Sequence, residues 1–154
     1  NLDDSITIDA HELLVHAPRY TPVDHNCLPN GEVLPVNDDF DFLSLRPIGA
    51  FHHDQNYCVA DTAHSKPATV AALRTRHVSL EVRSTAPGLQ LYTGDNLDVQ
   101  VPGLGNRQYG RRAGVCLETQ SWPDAVHHSN FPSIELGLGE HYQHVTQYVF
   151  AHNE

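Results

Sequence analysis

Short runs of alternating apolar and polar residues, each cut off by proline or glycine, dominate this sequence and leave few folds open to it. The clearest spans residues 77–85, where Val78, Leu80 and Val82 alternate with Ser79, Glu81 and Arg83. A period of two belongs to a strand with one face buried. Similar stretches predict strands at residues 5–9, with Ile6 and Ile8 on one face, and at 11–15, 56–60, 69–74, 89–93, 114–119, 133–136 and 142–150. Pro18, Pro22, Pro29 and Pro35 punctuate a long connection, inside which Asn30-Gly31 signals a turn. Phe40-Asp41-Phe42 suits either a strand or a loop anchor. Residues 94–112 hold four glycines and no periodicity, which predicts a loop. No stretch carries the spacing of an amphipathic helix. Many short strands between Pro and Gly turns predict an all-β chain, an antiparallel sandwich or barrel.

The run Gly114 to Asp124 carries the first candidate for chemistry. Val115 and Leu117 alternate with Cys116 and Glu118, and Trp122-Pro123-Asp124 then ends the strand. Glu118 therefore lies near a strand end, close in sequence to the only tryptophan. A carboxyl packed against such a ring loses water, its pKa rises, and it becomes a proton carrier near neutral pH. The competing expectation is an exposed glutamate on the polar face of a strand.

The wording of this run, G-V-C-L-E-T-Q followed by P-D-A, with F-P at 131–132 and G-E-H-Y at 139–142, resembles the C-terminal signature of the galactose mutarotase (aldose 1-epimerase) family. Leu138 stands where that family usually has proline. Upstream, Y-T-P-V-D at 20–24, L-P-N-G-E-V at 28–33, F-D-F at 40–42, I-G at 48–49, D-Q-N-Y at 54–57 and A-P-G-L-Q-L-Y-T-G at 86–94 follow the family in order. The resemblance implies a β-sandwich, of which this chain, residues 1–154, forms the C-terminal part of one domain. It also implies that Asn1-Leu2 ends a motif of the form N-H-x-Y-F-N-L. The catalytic histidine of that motif would then lie just before residue 1, and the missing N-terminal half of the protein would be a partner of this chain.

The activity implied is the interconversion of the α and β anomers of an aldohexose by general acid–base ring opening, without metal or cofactor. Glu118 is then the base. Asp54 binds sugar hydroxyls through an acceptor-only carboxylate, and Gln90 does so through an amide that donates and accepts. The structural alternatives are a loop aspartate capping a turn and a polar-face strand residue. His53 and Gln55, on either side of Asp54, depart from the family's aromatic and histidine, and the spacer before Asp54 is shorter than usual. Tyr92 and Trp122 suit either the sugar's apolar face or the core. Asp124 reads as a turn residue after Glu118. A hexose-phosphate variant of the activity calls for basic residues near the sugar, for which Arg111 and Arg112 are available. A different class of function, a non-catalytic carbohydrate-binding sandwich, fits the same residues.

Charge and composition narrow the rest. At 154 residues the chain has the length of one domain, and a compact chain of this size buries roughly 68–70% of its unfolded surface. The net charge of −10 disfavours nucleic acid and anionic membrane surfaces as partners. Neither is expected, and no apolar run has the length of a membrane span. The sequence contains no methionine, which suggests a fragment or a processed chain. Cys27, Cys58 and Cys116 leave one thiol over in any disulfide scheme and have no C-x-x-C spacing, which points to a reducing compartment, the cytoplasm. Twelve histidines invite a metal, but no H-E-x-x-H or Cys/His knuckle is present, so none is expected.

Overall fold

The computed structural model describes residues 1–3 and 7–153. Among these, ten strands run in order: β1 (Glu12–Val15), β2 (Arg19–Thr21), β3 (Leu34–Pro35), β4 (Arg46–Pro47), β5 (Asp54–Cys58), β6 (Ala68–Arg74), β7 (Val78–Ser84), β8 (Gly88–Tyr92), β9 (Cys116–Gln120) and β10 (Thr146–His152). They form two five-stranded sheets, ordered β10-β7-β6-β1-β4 and β3-β2-β5-β8-β9, with antiparallel pairing throughout. The architecture is the all-β antiparallel sandwich that the resemblance implies, one of the two forms that the alternating runs leave open. Among the described residues, no helix is long and apolar enough to cross a membrane.

Alternation becomes layering once the register is set. Leu13 and Val15 of β1, Val70 and Leu73 of β6 and Val82 of β7 pack against Tyr57 of β5, Leu89 and Leu91 of β8 and Leu117 of β9. A bulge between Thr69 and Ala71 breaks the period of β6, so that Val70 and Ala71 are both buried. Phe42 anchors a loop in the core rather than belonging to a strand, and a single 3₁₀ turn, Asp38–Phe40, precedes it.

Some expectations change. Residues 5 and 6 of the run expected at 5–9 lie outside the described residues, and Thr7–Asp9 form a bend and a turn, with Ile8 buried. Residues 133–136 are coil: Ile134 and Leu136 are exposed, and among the described residues no strand pairs with them. The strand expected from residue 142 begins only at Thr146. The short strands β2, β3 and β4 lie within or just after the Pro-rich connection, where two or three residues are too few to show a period. Pro35 and Pro47 occupy the sheet edges, where a missing N–H is tolerated.

Residues 94–112 are the predicted loop, with one 3₁₀ turn at Leu104–Asn106. Arg112 fastens its end. This side chain is almost fully buried and donates to Asp9 Oδ1 (2.7 Å), Asp95 Oδ2 (3.1 Å) and the carbonyls of Phe51 (3.2 Å) and Gly49. Asp95 also accepts from the Thr93 hydroxyl (2.6 Å) and Arg111 (2.9 Å). Burial alone would push its carboxyl up. The hydrogen bonds from Thr93, Arg111 and His52, with the charge of Arg112, prevail and bring it to about 2.

Candidate functional site

On β5, β8 and β9 the odd positions Tyr57, Leu89, Leu91 and Leu117 fill the core. The period of two then sends the even positions to the opposite face of the sheet. Register aligns them: Asn56 pairs with Gln90 and Gln90 with Glu118, while Asp54 pairs with Tyr92 and Gly88 with Gln120. Side chains directly opposite one another stand roughly 5 Å apart. Asp54, Gln90 and Glu118, widely separated along the chain, thus become neighbours on one polar face.

That face is the floor of a pocket of about 290 Å³ lined by, among others, Asp54, Gln90, Tyr92, Glu118 and Gln120. The volume is at the small end of ligand sites, roughly 300–1,000 Å³, and suits a single sugar ring. The Gln90 amide donates to Asp54 Oδ1 (2.7 Å) and accepts from Gln120 Nε2 (3.4 Å). The chain of bonds fixes the Gln90 amide and leaves further carboxylate lone pairs free for hydroxyl donors. All three residues singled out for the sugar line this one pocket.

A loop supplies the opposite wall through Val23, Cys27 and Pro29. Asp24 stiffens it by accepting from the amides of Asn26 (2.8 Å) and Leu28 (3.1 Å), and these bonds hold its carboxyl below the usual range. Val23 and Pro29 are joined by an isolated bridge. Cys116 shares the face of Glu118 two residues earlier. Burial first, and then the charge of Glu118, push its thiol up, which keeps the sulfur protonated rather than nucleophilic.

Trp122 and Glu118 part company. Pro123 ends the strand, and the Trp122 ring turns into a small second core with Cys58 and Phe131, its centroid 5.2 Å from that of Phe131. Its Nε1 donates to the Pro87 carbonyl (3.0 Å). The ring is absent from the pocket wall, and Glu118 is exposed on an edge strand, so the apolar shielding expected for this carboxyl is not what the fold provides. Tyr92, in contrast, does line the pocket. Asp124 is the expected turn residue, in the left-handed region at φ 60° and paired with His127 and His128.

Arg111 and Arg112 stay out of the pocket, held by Asp95 and Asp9. No Lys or Arg lines it among the described residues. Those residues also contain no group of three or more His, Cys, Asp or Glu able to hold a metal. Of the residues the sequence did not single out, Asn56 and Gln120 follow from the period of two applied to the words D-Q-N-Y and L-E-T-Q. Thr21, Cys27 and Pro29 arrive through a long connection and left no such signal.

Comparison with known proteins gives a consistent picture. The sequence pattern of the family described as aldose 1-epimerase matches residues 1–149. The galactose mutarotase of Homo sapiens is 39% identical over 159 residues, covering 96% of this chain and 45% of its own length. The aldose 1-epimerase of Escherichia coli is 30% identical over 97% of this chain and 48% of its own length. Among solved structures, an aldose epimerase homologue from C. elegans superposes with a TM-score of 0.88 at 25% identity, over all of this chain and 49% of that one. The chain therefore spans about half the length of the curated relatives it matches.

Proposed function

Because this chain belongs to the aldose 1-epimerase family, we propose that it forms the base-bearing half of an enzyme that interconverts the α and β anomers of a neutral aldohexose such as galactose or glucose. Glu118 takes the proton from the hydroxyl on C1. An acid protonates the ring oxygen, the bond from C1 to that oxygen breaks, and an open aldehyde results. Rotation about C1–C2 presents its other face, and the two proton transfers reverse as the ring closes. The acid is the histidine expected just before residue 1, on the N-terminal half that is this chain's partner in the reaction. Asp54 and Gln90 hold the remaining hydroxyls.

The observation that carries this reading is the register Asn56–Gln90–Glu118, with Asp54 hydrogen-bonded to Gln90 beside it, on the floor of one sugar-sized pocket. Chain entry supports it too. The Asn1 side chain donates to the Ala113 carbonyl (3.4 Å), just ahead of β9, so Asn1 itself lies beside the start of the strand that carries Glu118. Two acids and no cation on the pocket wall favour an uncharged sugar over a phosphorylated one. The three free thiols suit a reducing compartment, and we place the protein in the cytoplasm.

The test is polarimetry of freshly dissolved α-D-galactose with the complete protein. Glu118→Gln keeps the shape and removes the base, so kcat should fall by roughly 10²–10⁴-fold with little change in KM. Normal turnover by this variant removes Glu118 from the reaction. Saturable aldose binding with no mutarotation by the unaltered complete protein would instead mark a carbohydrate-binding module.

A further inference from the structure

The pocket has a floor and a wall of different make. The floor lies on β5, β8 and β9, where sheet register fixes it. The wall, with Val23, Cys27 and Pro29, is a loop, and a loop holds its place only as well as its anchors do. Internal bonds keep the loop's own shape: the Asn30 amide donates to the Pro22 carbonyl (3.2 Å), and the Cys27 amide to that of Asp24 (3.0 Å). They do not decide how far the loop stands from the floor.

That distance is set from the turn after β9. Residues 123–131 leave the end of the strand that carries Glu118 and reach the loop through two side chains. His128 Nε2 lies 3.1 Å from the Pro29 carbonyl oxygen and 3.4 Å from Asp124 Oδ2. Both partners only accept, so this nitrogen carries the proton and donates. Asn130 Nδ2 donates to the Gly31 carbonyl (2.9 Å). The imidazole packs against Phe131, at 4.8 Å between ring centroids, and against the backbone of Gly31. A side-chain carbon on Gly31 would stand 2.9 Å from Nδ1, and the backbone there is left-handed at φ 88°, so glycine leaves room for the ring. Phe131 in turn packs on Trp122, which rests the contact on the second core. Pro29, whose carbonyl is held, and Pro123, next to Asp124, both line the pocket.

We propose that His128, with Asn130 beside it, is a positioning residue for substrate binding: it latches the wall loop to the turn after β9 and so sets the width of the sugar pocket. His128 falls between the words P-D-A and F-P, so the family resemblance gives it no role. Its ring does not line the pocket and acts through Pro29. The sugar as occupant rests on the function proposed above; the latch between loop and turn does not. Releasing the latch leaves Asp54, Gln90 and Glu118 where sheet register holds them. It therefore weakens binding of the sugar without slowing the chemistry.

Steady-state kinetics and hydrogen exchange on the complete protein test the latch. His128→Phe keeps a ring against Phe131 and Gly31 but has no donor. KM for galactose should rise by roughly three- to tenfold, the factor that one hydrogen bond commands, with kcat within roughly twofold of the parent. His128→Gln carries an amide N–H at the reach of Nε2 and should bring KM back to within roughly twofold. Amides of residues 24–31 should exchange roughly three- to tenfold faster in His128→Phe, and those of β5, β8 and β9 at the parent's rate. A kcat that falls as far as KM rises overturns the proposal, since the turn would then be bracing Glu118. A KM that His128→Gln fails to restore overturns it as well, as does exchange that quickens in β9 as much as in the loop. Where the parent turns over no sugar, equilibrium binding of galactose replaces KM: a Kd that rises in His128→Phe and returns in His128→Gln supports the latch and removes only the enzymatic reading. Normal turnover with a KM unmoved by His128→Phe removes only the latch. A complete protein that binds no aldose removes both.

Discussion

His53 occupies a place that the chemistry of imidazole does not suit. It is fully buried among Phe40, Phe42 and Phe51, with ring centroids 5.8, 5.3 and 5.0 Å away, and neither ring nitrogen has a hydrogen-bond partner among the described residues. Burial, aided by the charges of Arg112 and Arg46, lowers its pKa from 6.5 to about 4. The unfolded chain therefore binds this proton below pH 6.5 while the folded one holds it off until about pH 4. Stability contributed by neutral His53 is present above pH 6.5 and declines through that window, by about 3 kcal/mol at its acid end. His11, also buried and also lowered by burial, accepts from the Leu2 amide at Nε2 (3.1 Å) and weakens the fold in the same direction. His53→Phe, which puts a ring without titratable nitrogens into the same apolar site, should flatten much of this slope. Urea midpoints of the complete protein at pH 7 and pH 5 measure it, and an unchanged slope would show that His53 is not its source.

At the level of elements, the pocket depends on β5, β8 and β9 holding register, and on the loop between β8 and β9 returning the chain to the right place. Arg112 holds that loop to the carbonyls of Gly49 and Phe51, immediately upstream of β5. One buried guanidinium thus ties the two ends of the site together. Arg112→Ala leaves Asp95 to Arg111 and His52 but removes the donor to the Gly49 and Phe51 carbonyls, and should cost about 1–3 kcal/mol, the range for acceptors left unsatisfied. Chemical denaturation of the complete protein checks this. A loss below about 1 kcal/mol, the range of a surface ion pair, would mean that the network is dispensable.

Among the described residues, the two sheets end in the two-residue strands β3 and β4 on one side and in the longer β9 and β10 on the other. Tyr148 and Phe150 are exposed on a face continuous with the core. Polypeptide of residues 1–154 should therefore bind a dye such as ANS, and the variant Tyr148→Ser, Phe150→Ser should bind much less, since removing these rings removes the apolar surface the dye reports. Equal dye binding by the two would show that the rings are not the surface the dye reports. The net charge of −10 keeps such surfaces apart at low salt, so dye binding is best compared across ionic strengths.

Strand identity in the longer, regularly alternating runs belongs to the sequence alone. A period of two is a local property, and residues 69–74, 77–85, 89–93 and 114–119 carried it openly enough to predict an antiparallel all-β chain. The ordered words around Asp54, Gln90 and Glu118 also named the candidate site residues before any coordinates. Tertiary structure decided which strands are neighbours. Two- and three-residue strands have no period to read, and the pairing of Asn56 with Gln90 and Gln90 with Glu118 depends on strands far apart in the chain. It also decided the fate of Trp122. Nearness in sequence suggested a ring packed on Glu118, but the turn at Pro123 aims that ring into a second core and leaves the carboxyl on an exposed edge. A residue's neighbours along the chain set its backbone; the neighbours that change its chemistry come from the folding of distant segments.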